Sequence, residues 1–321
     1  MALHIEDKWV WDFWFARKGA DTHIFYLQAP RSLGNPDLRH WHCSIGHAVS
    51  RDLQSWDILP DVLFPSEHKT AWDSRTTWTG SILKHDEIWY MFYTGTSEVE
   101  KGLIQRIGLA TSDDLITWNK HAENPIMESD PRWYELLDEK IWHEQAWRDP
   151  WVFEQDGMFH AFITARVNKG HSKDRGVIGY ARSNDLLNWE VQAPITQPGE
   201  FAYLEVPQLV KINRRWYLLF CVESDKFSER REKRKGVEIS TGTHYMMADD
   251  PFGPYSQPQN DLLFGDQNGT FYSGKLIQNQ SGAWMFLTAI QYDQEMNYVG
   301  DISDPLPVSI HNDGQISVLN A

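Results

Sequence analysis

Apolar residues in this chain come in short paired runs divided by polar turns, with almost no helical spacing. Five pairs can be read. The first runs are 10–16, 79–84, 149–153, 205–211 and 272–277, and the second are 23–29, 88–95, 158–165, 216–222 and 284–290. The stretches between them carry turn chemistry: Lys18-Gly19-Ala20-Asp21, His85-Asp86-Glu87, Gln155-Asp156-Gly157, Asn213-Arg214-Arg215 and Gln280-Ser281-Gly282. Each pair therefore predicts a β-hairpin.

After the hairpins a third segment repeats. Ile45-Gly46-His47-Ala48-Val49-Ser50 leads to Asp52, Leu53 and Trp56. Ile107-Gly108-Leu109-Ala110-Thr111-Ser112 leads to Asp114, Leu115 and Trp118. Ile178-Gly179-Tyr180-Ala181-Arg182-Ser183 leads to Asp185, Leu186 and Trp189. A degenerate copy starts at Thr243, with Asp250 in the acid's place, and a diverged one near Tyr298. The Asp-Leu step predicts a turn, and the Trp starts a fourth, edge-like strand. Five units of four strands predict an all-β fold: a five-bladed β-propeller with four antiparallel strands per blade, forming one domain over 1–321. A β-sandwich would not explain five matched hairpins. The best helical stretch is 131–142, about two turns on a loop.

Composition narrows the partners. A net charge of −15 repels nucleic acid and anionic membranes. The mixed run 229–235 (ERREKRK) is expected to be a solvated hairpin tip. Cys43 and Cys221 sit in apolar surroundings and read as buried free thiols, with no metal or cofactor site implied. The N-terminal residues lack the basic start and apolar run of a signal peptide, and no stretch approaches a membrane span of about 18 apolar residues. A cytoplasmic protein is expected.

The first strand of each propeller blade lines the central channel, and the five strand starts open on one face. Those starts hold Trp11-Asp12 with Trp14 nearby, Trp78-Thr79-Gly80-Ser81, Arg148-Asp149-Pro150, Glu205-Val206-Pro207 and Tyr272-Ser273-Gly274. Three carboxylates, Asp12, Asp149 and Glu205, thus converge from distant parts of the sequence. Clustered acids repel one another, so such a cluster points to chemistry. Glycoside hydrolysis needs this kit: one carboxylate as nucleophile or base and one acid for the leaving oxygen. The 16 Trp residues matter here because indoles offer flat faces to sugar C–H groups. The partner is therefore expected to be a small sugar.

Other acids and aromatics read as structural. Asp52, Asp114 and Asp185 recur with the repeat and should form turns, while Trp56, Trp118 and Trp189 should pack between blades. His40 and His42 have metal-like spacing, but no third ligand is evident. His42 is instead expected at the funnel rim. Glu144, Arg166, Glu223 and Tyr292 are weaker rim candidates. Loops 98–105, 128–145 and 225–241 are expected to shape the outer subsites.

The series Trp11-Asp12-Phe13-Trp14, Trp78-Thr79-Gly80-Ser81, Arg148-Asp149-Pro150, Glu205 in Leu-Glu-Val-Pro-Gln, and the run 45–56 resembles the clan of glycoside hydrolase families 32 and 68. These are fructofuranosidases, levansucrases and inulosucrases, and the motifs match in order along the chain. The resemblance implies that Asp12 is the nucleophile, Asp149 the transition-state stabiliser and Glu205 the general acid/base of a retaining reaction on sucrose or a fructo-oligosaccharide. It also implies that Trp14, Trp78, Ser81 and Arg148 line the fructosyl pocket, while His42 and Tyr272 are expected to bind substrate from their places at the funnel. The sequence departs from family 32 in three respects. Asp12 sits in a motif nearer to family 68, Glu205 is followed by Val206 rather than Cys, and about 30 residues follow the last hairpin, so the C-terminal β-sandwich is expected to be missing. The flank left bare is one that a second copy of the chain could cover in a homo-oligomer. Two alternatives stand. One is an inverting arabinanase- or arabinofuranosidase-like propeller, against which Arg148 and the 78–81 motif speak. The other is a non-catalytic sugar-binding propeller, which would not need all three acids.

Overall fold

The structure, a computed structural model, describes residues 3–319. Residues 1, 2, 320 and 321 of the expected 1–321 unit lie outside the described residues. Every strand among the described residues belongs to one of five antiparallel sheets. Blade one comprises Lys8–Lys18, Asp21–Pro30, Ser44–Ser50 and Asp57–Leu63. Blade two comprises Thr76–His85, Ile88–Thr96, Arg106–Ser112 and Asn119–Lys120. Blade three comprises Trp147–Gln155, Met158–Arg166, Gly176–Ser183 and Trp189–Gln192. Blade four comprises Glu205–Ile212, Arg215–Val222, Thr241–Ala248 and Leu262–Asp266. Blade five begins with Phe271–Gln278 and Trp284–Tyr292. Its third position is shared by Tyr298–Ile302 and Leu306–Ile310, which both pair with Trp284–Tyr292, and Ile316–Val318 forms its outer edge. That interruption explains why the fifth repeat is hard to read. Leu3 pairs with Ile302 through two backbone hydrogen bonds, tying the start of the described chain to the last blade.

The innermost strands contact one another in a closed ring. Each junction between neighbouring blades has its own apolar cluster. Alternation along a strand produces this arrangement. In blade one, Phe25 faces blade two while Ile24 and Tyr26 face blade five. In blade two, Met91 and Tyr93 face blade one while Phe92 faces blade three. Both faces of every sheet are thus buried.

The Ser-x-Asp-Leu turn is built alike three times. Asp114 Oδ1 accepts the backbone N–H groups of Ile116 and Thr117, both at 2.8 Å, and Leu115 takes the left-handed conformation at φ +74°. Asp52 and Asp185 make the corresponding bonds, with Leu53 and Leu186 also left-handed. The Trp after the turn packs across a blade junction. Trp118 meets Phe25 edge-on at 5.8 Å, and Trp189 meets Phe92 at 5.6 Å.

Two expectations fail. Residues 131–142 form turns and a bridge rather than a helix. Tyr134 instead plugs the core against Trp147, with centroids 4.8 Å apart, and its hydroxyl donates to Gln192 O. The run 229–235 is not simply a solvated tip. It opens with the one α-helix among the described residues, Glu229–Glu232, capped by the Ser228 side chain accepting from Arg231 N. Arg231 is 1% exposed and bridges Asp261 at 2.5 Å and Glu200 at 3.2 Å. Cys43 and Cys221 are buried free thiols.

Candidate active site

Every innermost strand breaks its ladder at the same place near its start. The register shifts between Val10 and Phe13, between Trp78 and Gly80, opposite Ile163 in blade three, between Glu205 and Gln208, and between Tyr272 and Lys275. A bulge re-aims side chains that would otherwise alternate between faces. Two successive residues per blade consequently face the channel. They form one ring of Trp11, Trp78, Arg148, Glu205 and Tyr272, and a second of Asp12, Thr79, Asp149, Val206 and Ser273. All ten line a single cavity of about 420 Å3. Asp149, Val206 and Ser273 sit in the left-handed region at φ +57°, +50° and +54°. For a β-branched residue such as Val206 this is uncommon backbone, of the kind that concentrates at working sites.

The three acids are held by different neighbours. Asp12 Oδ2 accepts from Thr79 Oγ1 at 2.6 Å, and Oδ1 accepts from Ser273 Oγ. Blades two and five therefore fix its carboxylate from both sides. Asp149 is 5% exposed, and its Oδ2 accepts from Thr164 Oγ1 at 2.9 Å and from Val206 N at 3.1 Å. Glu205 is gripped by Arg148 Nη2 on Oε1 and by the Tyr272 hydroxyl on Oε2. Arg148 also reaches Glu144 at 2.7 Å and Gln105 at 3.0 Å, and lies 4.6 Å over the Tyr203 ring.

Burial pushes the Asp149 carboxyl up to about 7 against the pull of Arg148, with Asp12 and Glu205 adding repulsion. Burial also works against ionisation of Glu144, but Arg148 holds it below the usual carboxylate range. Although burial opposes its charge too, Arg148 lies well above its ordinary value because Glu144, Glu205 and Asp149 surround it. Burial drives His40 down to about 3, reinforced by Arg39 and Arg148, so it is a neutral imidazole in the wall.

Among the residues expected to bind substrate, Trp78, Arg148 and Tyr272 line the cavity with the three acids. Trp14, Ser81 and His42 do not. Trp14 and Ser81 lie two residues past the second ring, below the bulge. Trp14 is buried in the junction between blades one and two and borders a separate cavity at the other end of the channel. Ser81 is buried, and its Oγ accepts from Val152 N at 3.0 Å. His42 is exposed, because Pro36–Trp41 is a 3-10 helix and strand alternation does not apply there. His40 takes the wall position instead, and its carbonyl accepts from Trp78 Nε1 at 2.8 Å.

Of the weaker rim candidates, Glu144 and Glu223 line the cavity. Arg166 is buried against Glu135 at 3.3 Å, and Tyr292 packs edge-on to Tyr298. The three loops contribute Gly102, Leu103, Gln105, His143, Glu144 and Lys226. Sequence reasoning missed Arg39, which lies 4.2 Å over Tyr298, and Tyr203, whose hydroxyl donates to Glu144 at 2.8 Å. Neither belongs to a repeated position, so no pattern marked them. Among the described residues no cluster of His, Cys, Asp and Glu could hold a metal ion, and no helix is long and apolar enough to cross a membrane.

This arrangement can stabilise a carbocation-like centre between carboxylates while offering hydroxyl-binding groups around it. Comparison with known proteins points the same way. The chain is 26% identical over 268 residues to sucrose-6-phosphate hydrolase of Staphylococcus xylosus, covering 80% of this chain and 49% of that protein. It is 24% identical over 278 residues to the Bacillus subtilis protein of the same name, covering 82% and 51%. The chain thus spans about half the length of these relatives. In fold it is similar to the inulosucrase from Halalkalicoccus jeotgali bound to kestose, at a TM-score of 0.79, 22% identity and coverage of 98% of this chain and 87% of that one. Residues 16–315 match the profile of the glycosyl hydrolases family 32 N-terminal domain, and the chain belongs to that family.

Proposed function

We propose that this protein is a retaining β-fructofuranosidase that takes a fructosyl unit from sucrose or a fructo-oligosaccharide and passes it to water or a second sugar. The observation that carries this reading is the convergence of Asp12, Asp149 and Glu205 from three blades onto one bulged floor, each held by different neighbours. Asp12 attacks the anomeric carbon while Glu205 gives its proton to the glycosidic oxygen, and the leaving sugar departs. Glu205, now ionised, takes a proton from water or an acceptor hydroxyl, whose oxygen displaces Asp12. Asp149 holds fructosyl hydroxyls and faces the charge that develops on the ring. The hydroxyls on both Asp12 oxygens preset its direction of attack, and Arg148 and Tyr272 preset that of Glu205. The names of the relatives, sucrose-6-phosphate hydrolase and inulosucrase, support a fructosyl donor. Two buried free thiols suit a reducing, cytoplasmic setting.

The test is incubation with sucrose, with glucose and fructose assayed separately. Equal release is expected for hydrolysis, and glucose in excess of fructose for transfer. Asp12→Ala should abolish both while the fold is retained. Absence of release from sucrose, raffinose and inulin would overturn the reading and move attention to aryl arabinofuranosides.

A further inference from the structure

Five positions along the channel lie just below the acid-bearing rings, and they hold Trp14, Ser81, Trp151, Gln208 and Lys275. Lys275 is the only ionisable residue among them. It is 2% exposed, and its ammonium donates to the carbonyl of Val206. Val206 is the residue after Glu205. It is β-branched, it is held at φ +50°, and its N–H donates to Asp149 Oδ2 at 3.1 Å. Pro207 follows, so the peptide beyond Val206 offers no N–H to a neighbouring strand. Val206 is thus gripped at both ends, by a carboxylate of blade three and an ammonium of blade five. Without those grips a valine would leave the left-handed region and turn the adjoining Glu205 with it.

We propose that Lys275 is a positioning residue: by clamping the Val206 carbonyl from beneath the floor, it fixes the backbone that aims Glu205 and keeps the Val206 N–H on Asp149. The catalytic consequence rests on the fructosidase reading, whereas the clamp itself does not. A cation below the floor also offsets the repulsion among the acids above it. Burial brings Lys275 down to about 8, against the opposing pull of Cys221, Asp12 and Asp149. Cys221 beside it is a buried thiol whose pKa burial raises to about 11.

Lys275 also borders the cavity of about 260 Å3 at the opposite end of the channel, together with Trp14, Trp151 and Gln208. That makes a chemical-rescue experiment feasible without disturbing the sugar cavity. In Lys275→Ala, amide hydrogen exchange of peptides covering 203–209 should rise at least about tenfold, and n-propylammonium should restore protection whereas n-propanol should not. On sucrose the variant should lose roughly 100-fold in kcat with KM within about threefold, and propylammonium should recover about tenfold of that in a saturable way. Lys275→Met, which keeps most of the length and removes the charge, should show the same exchange and the same kcat loss, and it replaces the alanine variant if that one does not fold. Unchanged exchange at 203–209, or equal rescue by propanol, would overturn the clamp. If the wild-type protein releases nothing from sucrose, the fructosidase reading fails, and the exchange measurement still decides the clamp.

Discussion

Carboxylates stand in two unlike settings in two regions of this molecule. At the blade turns, Asp52, Asp114 and Asp185 are exposed, carry near-identical bonds and sit before a left-handed leucine. Their carboxyls are pulled below the ordinary range by the backbone N–H groups they accept, Asp185 to about 2. On the channel floor, Asp12, Asp149 and Glu205 share a repeated bulge but no repeated contacts, and burial pushes Asp149 up rather than down. At the turns both backbone and side chain repeat. At the floor only the backbone device repeats, and the pair of side chains that it presents is different in each blade. Repetition of the side chain reflects a demand of the fold. Divergence on a repeated backbone is where the proposed chemistry sits.

That contrast can be broken most strongly at the floor. Glu205→Gln keeps the size and the Tyr272 and Arg148 neighbours but removes the proposed proton donor, and fructose release should fall by about 10³-fold or more at unchanged fold, read by steady-state kinetics and circular dichroism. A loss under tenfold would return Glu205 to the class of structural acids.

Asp149→Asn sharpens the contrast through stability. The folded Asp149 pKa is raised above its ordinary value, so ionisation disfavours the folded state. The stability it costs is absent below about pH 4, grows as pH rises through about 7 and is constant above. The Asn variant should therefore be inactive yet melt a few degrees higher than the wild type at pH 8, with the difference vanishing near pH 4. A variant that melts lower at pH 8 would mean that Asp149 is bound more favourably than its burial implies.

The smallest effect is expected at the turns. Asp114→Ala loses the acceptor of two backbone N–H groups and should cost about 1 kcal/mol, lowering Tm by a few degrees while leaving kcat and KM unchanged. An activity loss there would contradict the division between the two regions.

The propeller was legible because its demands recur. The hairpins are marked by apolar runs and turn residues, and the Ser-x-Asp-Leu-x-x-Trp turn by a side chain that must accept the same N–H groups each time. The convergence of Asp12, Asp149 and Glu205 on one cavity was legible because a strand start is defined by local pattern. The misread residues have local explanations too. Trp14 and Ser81 are expected in the pocket from the family resemblance, and both lie two residues past the bulged positions that line it. His42 directly follows the 3-10 helix Pro36–Trp41, so strand alternation does not set its direction. Residues 131–142 are the best helical stretch by sequence, whereas in the fold Tyr134 is fixed against Trp147. Arg231 sits in a run that reads as solvated, and Asp261, 30 residues away, accounts for its burial.

The sequence alone determined the blade count, the strand order and which acids stand at the channel mouth, because turns, alternation and apolar runs are short-range properties of the chain. The tertiary structure decided which way those acids face and what holds them. Thr79 and Ser273 reach Asp12 from other blades, Val206 reaches Asp149, and Lys275 reaches Val206 from beneath. Each of these contacts joins residues more than 50 positions apart. They come together only when the ring of blades closes, since no local pattern encodes the register at which one bulge meets the next.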